Sequence, residues 1–239
     1  HKDLTKPFNG PCPLTGRMSG EKGASKRLLM YSSSAASMTV AAWCYGLLFS
    51  SYELAFIILI PASFLGLGMM IKYGDQAFDA NVYSKRKALL LALPGGVWMG
   101  SLMAVDPGSA TIFMGVLIAL LLAGKLDNLP FKLGFTVALV LFAISFLADL
   151  GRLEPFAALV VLAFAYLDEK ANDLPLVGRG SGWAAALLSN RPFLKLAVLA
   201  LCLVGALPSL LYFFAFLAFD LGYSAVEAFS LRGEVAFLG

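Results

Sequence analysis

The stretch ELAFIILIPASFLGLGMMIK occupies residues 53–72 and decides the fold of this chain. Between Glu53 and Lys72 it holds 18 residues without a single charge. A helix of roughly 20 mostly apolar residues is long enough to cross the hydrocarbon core of a bilayer. The stretch therefore predicts a membrane-spanning helix.

Similar apolar blocks recur along the whole chain. The 239 residues are 59% hydrophobic and only 14% charged, whereas soluble proteins average about 25% charged residues. Spanning β-strands would need alternating polarity, which these blocks lack. The sequence predicts an all-α, polytopic helical membrane protein with seven transmembrane helices, or eight if the last block crosses twice around Pro208. The predicted spans are residues 28–50, 53–72, 88–105, 109–125, 131–149, 154–168 and 193–220.

The chain divides into two parts in this interpretation. Residues 1–27 form a polar N-terminal segment, and residues 28–239 form a single helical transmembrane domain. The segment is rich in proline and glycine, so we expect irregular structure, either a tail or an arm lying against the membrane surface. It has no apolar core of the kind found in a cleavable signal peptide.

Cysteine and histidine offer little chemistry in this sequence. Cys12, Cys44 and Cys202 show no spacing typical of a metal site or a redox pair, and the one histidine is His1. This composition argues against His-ligated haem, His-based zinc chemistry and Ser-His catalysis.

The basic residues predict the orientation. If the spans alternate as above, 16 of the 18 Lys and Arg residues fall on one side, and only Arg152 and Arg232 fall on the other. Basic residues near span ends are retained in the cytoplasm, so we expect a multi-pass protein with a cytoplasmic N-terminus. A basic face suits anionic membrane lipids or phosphorylated substrates. Nucleic acid is a poor partner for charges spread over membrane loops.

The first cytoplasmic loop holds two carboxylates one helical turn apart, Asp75 and Asp79, with Lys72 before them and Arg86 after them. Mg²⁺ typically takes one or two carboxylates and completes its shell with water and substrate phosphates. The loop therefore predicts a Mg²⁺ site. A solvated loop that merely follows the positive-inside rule is the alternative.

Two further loops on the same side resemble each other. Lys125-x-Asp127-Asn128-Leu-Pro recurs as Lys170-x-Asn172-Asp173-Leu-Pro, with Asp168 just before it. The similarity is consistent with a direct repeat of helix pairs or with chance. Carboxylates from all three loops at one level would repel each other, so metal ions or nearby Lys and Arg would have to neutralise them.

The pattern resembles the UbiA superfamily of intramembrane prenyltransferases, which have two Asp-rich motifs on cytoplasmic loops. Asp75-x-x-x-Asp79 followed by Arg86 is similar to the second half of the first motif. Asp168 to Asp173 followed by Gly178-Arg179-Gly180-Ser181 is similar to the second. The sequence departs from the family where Ile71-Lys72 replaces an opening Asn-Asp, in the spacing of the second motif, and in having fewer than nine spans.

The resemblance implies that Mg²⁺ holds a polyprenyl pyrophosphate, or a related phospholipid precursor, for prenyl transfer. Asp75, Asp79, Asp168 and Asp173 would bind the metal. Arg86, Lys125 and Lys170 would act on the departing pyrophosphate. The remaining polar loop residues would contact substrate, namely Lys72, Asp127, Asn128, Asn172 and Arg179.

Two other function classes remain open on the sequence. A transporter or channel built from helix-pair repeats would suit the Gly- and Pro-broken helices, although no span has a charge near its centre. A non-catalytic subunit of a membrane complex would use the apolar residues for lipid and partner contacts only. The oligomeric state and the acceptor are not indicated.

Overall fold

A computed structural model describes residues 13–49, 53–79, 81–173 and 191–237, and these residues form helices joined by short turns. Within these ranges we number eight helices in chain order. They are α1 (Pro13–Phe49), α2 (Leu54–Phe78), α3 (Lys85–Val105), α4 (Pro107–Leu122), α5 (Leu129–Leu147), α6 (Pro155–Asn172), α7 (Pro192–Leu203) and α8 (Leu211–Phe237). The predicted all-helical class is confirmed over the described residues.

Four of the described helices are long and apolar enough to cross a membrane: α2, α3, α5 and the Leu211–Ser230 part of α8. Helices α4 and α7 are apolar but shorter, with 16 and 12 residues. Large apolar side chains also face outward, with Leu147 86% exposed and Phe49 73% exposed. Outward-facing apolar surface of this kind fits a membrane protein, since lipid can cover it.

The first helix begins earlier than the sequence predicts. We expected irregular structure throughout residues 1–27, but α1 already starts at Pro13. Proline is well tolerated in the first turn of a helix, and Glu, Lys, Ala and Arg between residues 21 and 27 are strong helix formers. With 37 residues, α1 is about 55 Å long at 1.5 Å per residue, which exceeds the thickness of about 30 Å of a bilayer hydrocarbon core.

The last apolar block forms two helices, whereas the sequence left open whether residues 193–230 form one kinked helix or two segments around Pro208. Helix α7 ends at Leu203, Gly205 adopts a left-handed φ of 77°, and Pro208 lies in the turn before α8. Because α8 returns along the bundle, its C-terminal end lies at the end of the bundle where α7 starts. The predicted placement of Arg232 opposite the other basic residues is therefore wrong.

Close helix contacts hold α2 against α8. A Cβ at Gly68 would overlap the backbone carbonyl of Phe219, and a Cβ at Gly222 would overlap that of Leu65. Small residues let membrane helices approach in this way. Helices α3 and α5 touch similarly at Gly96 and Gly134.

The turn between α3 and α4 anchors the start of α8. Asp106 is only 2% exposed, and its Oδ2 accepts a hydrogen bond of 2.7 Å from the backbone N–H of Ser109. The hydroxyl of Tyr212 donates to its Oδ1 over 2.6 Å. Asp106 thus caps α4 and joins it to α8, at the end of the bundle opposite to the three carboxylate loops.

Candidate binding site at one end of the bundle

A polar cavity of about 230 Å³ lies at the end of the bundle where α2, α4 and α6 finish. The start of α7 and the middle of α8 complete its wall. We call it the polar cavity and define it by its polar lining residues: Asp75, Asp79, Lys125, Asp127, Glu169, Asn172, Arg191 and Tyr223. The structure thus brings together residues from all three loops that the sequence singled out.

Asp75 is the most constrained carboxylate in the polar cavity. Its Oδ1 accepts a hydrogen bond of 3.0 Å from the amide of Asn128, and its Oδ2 accepts one of 3.1 Å from the hydroxyl of Tyr223. Asn128 is itself fixed, because its Oδ1 caps α5 by accepting from the N–H of Phe131 over 3.0 Å. The orientation of Asp75 is therefore set by α5 and α8 together.

Lys72 does not line the polar cavity, but it contacts Tyr223, which does. Its ammonium lies 4.4 Å from the ring centroid of Tyr223, 3.4 Å from the tyrosine hydroxyl and 3.7 Å from Oε1 of Glu227. Cation–π and ion-pair contacts of this kind favour one ring position. The substrate-binding role of Lys72 stays a prediction, and the described contact of Lys72 is with Tyr223, which does line the cavity.

Arg191 faces the polar cavity from the residue before α7. Its backbone is left-handed (φ 49°, ψ 60°), and its Nη2 lies 2.8 Å from Oε1 of Glu169, a side chain that is only 5% exposed. The guanidinium also lies 5.6 Å from the ring centroid of Tyr223. Burial alone lowers the pKa of Arg191, but Glu169 and other nearby acidic groups raise it overall, so the guanidinium is held in its charged form.

Asp168 accepts hydrogen bonds from the start of α7. It is 1% exposed, and its two oxygens accept backbone hydrogen bonds from Phe193 over 3.2 Å and from Leu194 over 2.7 Å. These are unpaired N–H groups of the first turn of α7, where a negative charge is also favoured by the helix dipole. Asp168 does not line the polar cavity and caps α7, and the metal-binding role that we predicted for it stays a prediction.

Asp173 is paired with a cation rather than grouped with the other carboxylates. Its Oδ1 accepts a hydrogen bond of 2.5 Å from the ammonium of Lys125, and both side chains are partly exposed. This hydrogen bond holds the pKa of Asp173 below its ordinary value. Lys125 lines the cavity whereas Asp173 does not, which weakens the metal-ligand prediction for Asp173.

Two further predicted residues, Arg86 and Lys170, do not line the polar cavity. Arg86 is exposed near the start of α3, and Lys170 is exposed with its ammonium 5.4 Å from the ring centroid of Tyr166. Arg179 lies outside the described residues. The catalytic roles predicted for Arg86 and Lys170 therefore have no support from their positions.

The sequence assigned no specific role to three polar lining residues. Glu169 adjoins the predicted Asp168, and a helical projection of α6 would have placed the two on different faces. Tyr223 was overlooked because the sequence does not decide whether residues 193–230 cross once or twice, and so which end of the bundle Tyr223 occupies. Arg191 appeared only as one basic residue among many, and no sequence signal distinguished it.

The metal prediction stays a prediction. Among residues 13–49, 53–79, 81–173 and 191–237, no group of three or more His, Cys, Asp or Glu side chains is arranged to hold a metal ion. Mg²⁺ needs only one or two carboxylates when phosphate oxygens and water supply the rest. Asp75, Asp79 and Asp127 fit that limited role, because they line one cavity from two loops.

An apolar cleft adjoins the polar cavity. It has a volume of about 50 Å³ between α2, α3 and α5, and it shares Ile71, Met99, Leu117 and Phe131 with the cavity wall. Gly95 faces it, where a Cβ would make an ordinary contact of 3.5 Å with Sδ of Met70. Polar and apolar ligand groups can therefore lie side by side.

Comparison with known proteins gave no further guide. No protein-family model matches the sequence, and neither a curated protein nor a solved structure matches the chain.

Proposed function

We propose that the protein is a multi-pass membrane enzyme that binds a polyprenyl pyrophosphate, or a related phospholipid precursor, with Mg²⁺ in the polar cavity and transfers the prenyl group to an acceptor. The observation that supports this most is the junction of a carboxylate- and cation-lined cavity with an apolar cleft. A ligand with a charged head and a hydrocarbon tail needs both environments at once.

The membrane arrangement belongs to the same proposal. The chain crosses the bilayer seven or eight times, with its N-terminus and the polar cavity on the cytoplasmic side. Most of the Lys and Arg residues within the described helices and turns lie toward the cavity end of the bundle, and basic residues near span ends are retained in the cytoplasm. Membrane lipids cover the outward-facing apolar side chains.

The residues of the cavity have separate tasks in this mechanism. One or two of the carboxylates Asp75, Asp79 and Asp127 would hold the cation, which would supply charge neutralisation for the pyrophosphate oxygens. Lys125 and Arg191 would neutralise the rest of that charge. When the allylic C–O bond breaks, pyrophosphate leaves with the electron pair, and preorganised cations stabilise the negative charge that it gains.

The apolar wall protects the other product of that step. The carbon left electron-poor must meet the acceptor before water, and the side chains of Ile71, Met99, Leu117 and Phe131 have no hydroxyl, amine or carboxylate that would hold ordered water. The acceptor then donates an electron pair to this carbon and later loses a proton.

Binding of farnesyl pyrophosphate to the purified chain in detergent, with and without Mg²⁺, tests the proposal. We expect Asp75→Asn and Asp79→Asn each to weaken Mg²⁺-dependent binding about tenfold, the equivalent of about 1.4 kcal/mol. Asp149→Asn is the matched control, since Asp149 is exposed at the opposite end with a left-handed φ of 58° that Asn tolerates. Binding that is independent of Mg²⁺, or that is unchanged in both cavity variants, would refute the proposal.

A further inference from the structure

The cation expected to contact a pyrophosphate differs between the sequence and the structure. Of the three predicted residues Arg86, Lys125 and Lys170, only Lys125 lines the polar cavity. Arg191, which no sequence pattern indicated, lines it as well. We propose that Arg191 is the main binding residue for the phosphate groups of the ligand, an inference that rests on the function proposed above.

The geometry of Arg191 leaves donors available for an anion. A guanidinium has five N–H donors in a planar fork, and the ion pair with Glu169 engages Nη2 at 2.8 Å. The fork matches two phosphate oxygens at once, which a lysine ammonium cannot do. Arg191 can therefore keep its contact with Glu169 while a phosphate binds its remaining donors.

Two neighbours hold Arg191 in this position. Glu169 is almost fully buried, so its carboxylate cannot follow the arginine into solvent. The ring of Tyr223 lies 5.6 Å from the guanidinium carbon and is itself tied to Asp75 by a hydrogen bond. A preorganised guanidinium loses little conformational entropy when the ligand binds. More of the interaction energy therefore contributes to the binding affinity.

The competing cations are less suited to the task. Lys72 contacts Tyr223 and lies near Glu227 rather than lining the cavity. Lys125 lines the cavity but already donates to Asp173 over 2.5 Å. We therefore assign Lys125 a secondary role that begins only when it exchanges Asp173 for the ligand.

The test compares inorganic pyrophosphate and farnesyl pyrophosphate, each with Mg²⁺, by calorimetry on the full chain. Arg191→Lys keeps the charge but removes the fork, and Arg191→Gln combined with Glu169→Gln removes both charges, so that no lone buried carboxylate remains. Arg86→Gln and Lys170→Gln are matched controls on exposed cations outside the cavity. We expect about tenfold weaker binding of both ligands in each Arg191 variant and changes below about twofold in the controls, because only the Arg191 variants lose charge-assisted hydrogen bonds to phosphate oxygens.

The possible outcomes distinguish a failure of this inference from a failure of the proposed function on which it rests. If the native chain binds neither ligand in the presence of Mg²⁺, the proposed function is refuted, and the inference about Arg191 is refuted as well. A native chain that binds while Arg191→Lys stays within twofold overturns the inference alone. If the double variant does not fold, Arg191→Lys decides, since it preserves the pairing with Glu169. Weakened farnesyl pyrophosphate binding with unchanged pyrophosphate binding also overturns it, because the head group would then not contact Arg191.

Discussion

The side-chain amide of Asn128 donates to Oδ1 of Asp75 over 3.0 Å, although the two residues are 53 positions apart. The carbonyl oxygen of the same side chain accepts from the N–H of Phe131 and caps α5. One buried residue thus both starts a helix and orients a carboxylate of the polar cavity. The position of Asp75 depends on that helix start as much as on its own helix.

Asn128→Ala should lower the free energy of unfolding by about 1–3 kcal/mol, because it removes a helix cap and a buried hydrogen bond. Chemical unfolding in detergent followed by circular dichroism measures this. Asn128→Asp is the informative companion, since aspartate caps helices equally well but places a second negative charge against Asp75. Native stability in Asn128→Asp would mean that the contact with Asp75 contributes nothing.

Tyr223→Phe should preserve the fold but weaken ligand binding in the polar cavity. The ring remains between Lys72 and Arg191, but the hydroxyl that donates to Asp75 is lost, which costs about 1 kcal/mol. We expect about fivefold weaker Mg²⁺-dependent binding of farnesyl pyrophosphate. Tyr223→Leu should weaken it further, because the cation–π contacts with Lys72 and Arg191 disappear as well.

Tyr166→Phe provides the control for both Tyr223 variants. Tyr166 also has a cation above its ring, Lys170, but neither residue lines the polar cavity. Its binding should match that of the native chain. Equal losses in Tyr223→Phe and Tyr166→Phe would show that the measurement reports general destabilisation instead.

Asp168 should prove to be a structural residue. Asp168→Ala leaves the first N–H groups of α7 without their carboxylate, and we expect a loss of about 1–3 kcal/mol in the free energy of unfolding. Asp168→Asn keeps one carbonyl acceptor and should lose less. If Asp168→Asn unfolds like the native chain but no longer binds Mg²⁺, the original metal-ligand prediction is right and the capping role is secondary.

The gathering of the three loops was predictable from the sequence, because apolar blocks that alternate across a membrane return every second turn to the same side. Lys125, Asp127 and Asn172 reach the polar cavity for that reason. Their neighbours Asp168 and Asp173 do not line it, since a helix turns by about 100° per residue and only part of each loop faces inward. The sequence therefore predicts which loops lie at this end of the bundle, but it does not predict which of their side chains face the cavity.

The contributions of α7 and α8 were beyond sequence reasoning. Whether residues 193–230 form one helix or two depends on how Gly205 and Pro208 act in context, and the answer determines which end of the bundle Tyr223 occupies. The role of Arg191 depends on a left-handed backbone before Pro192 and on burial of Glu169. Neither property has a local pattern in the sequence.

The pair of Lys125 and Asp173 gives opposite predictions under the two roles considered for Asp173. As a metal ligand, Asp173→Asn should weaken Mg²⁺-dependent binding of pyrophosphate about tenfold. As the partner of Lys125, its loss frees an ammonium at the cavity wall, so binding should stay equal or become about two- to threefold tighter. We expect the second result, measured by calorimetry at neutral pH. Lys125→Gln should then weaken binding in the native background and more strongly in the Asp173→Asn background, because only there is the ammonium fully available to the anion.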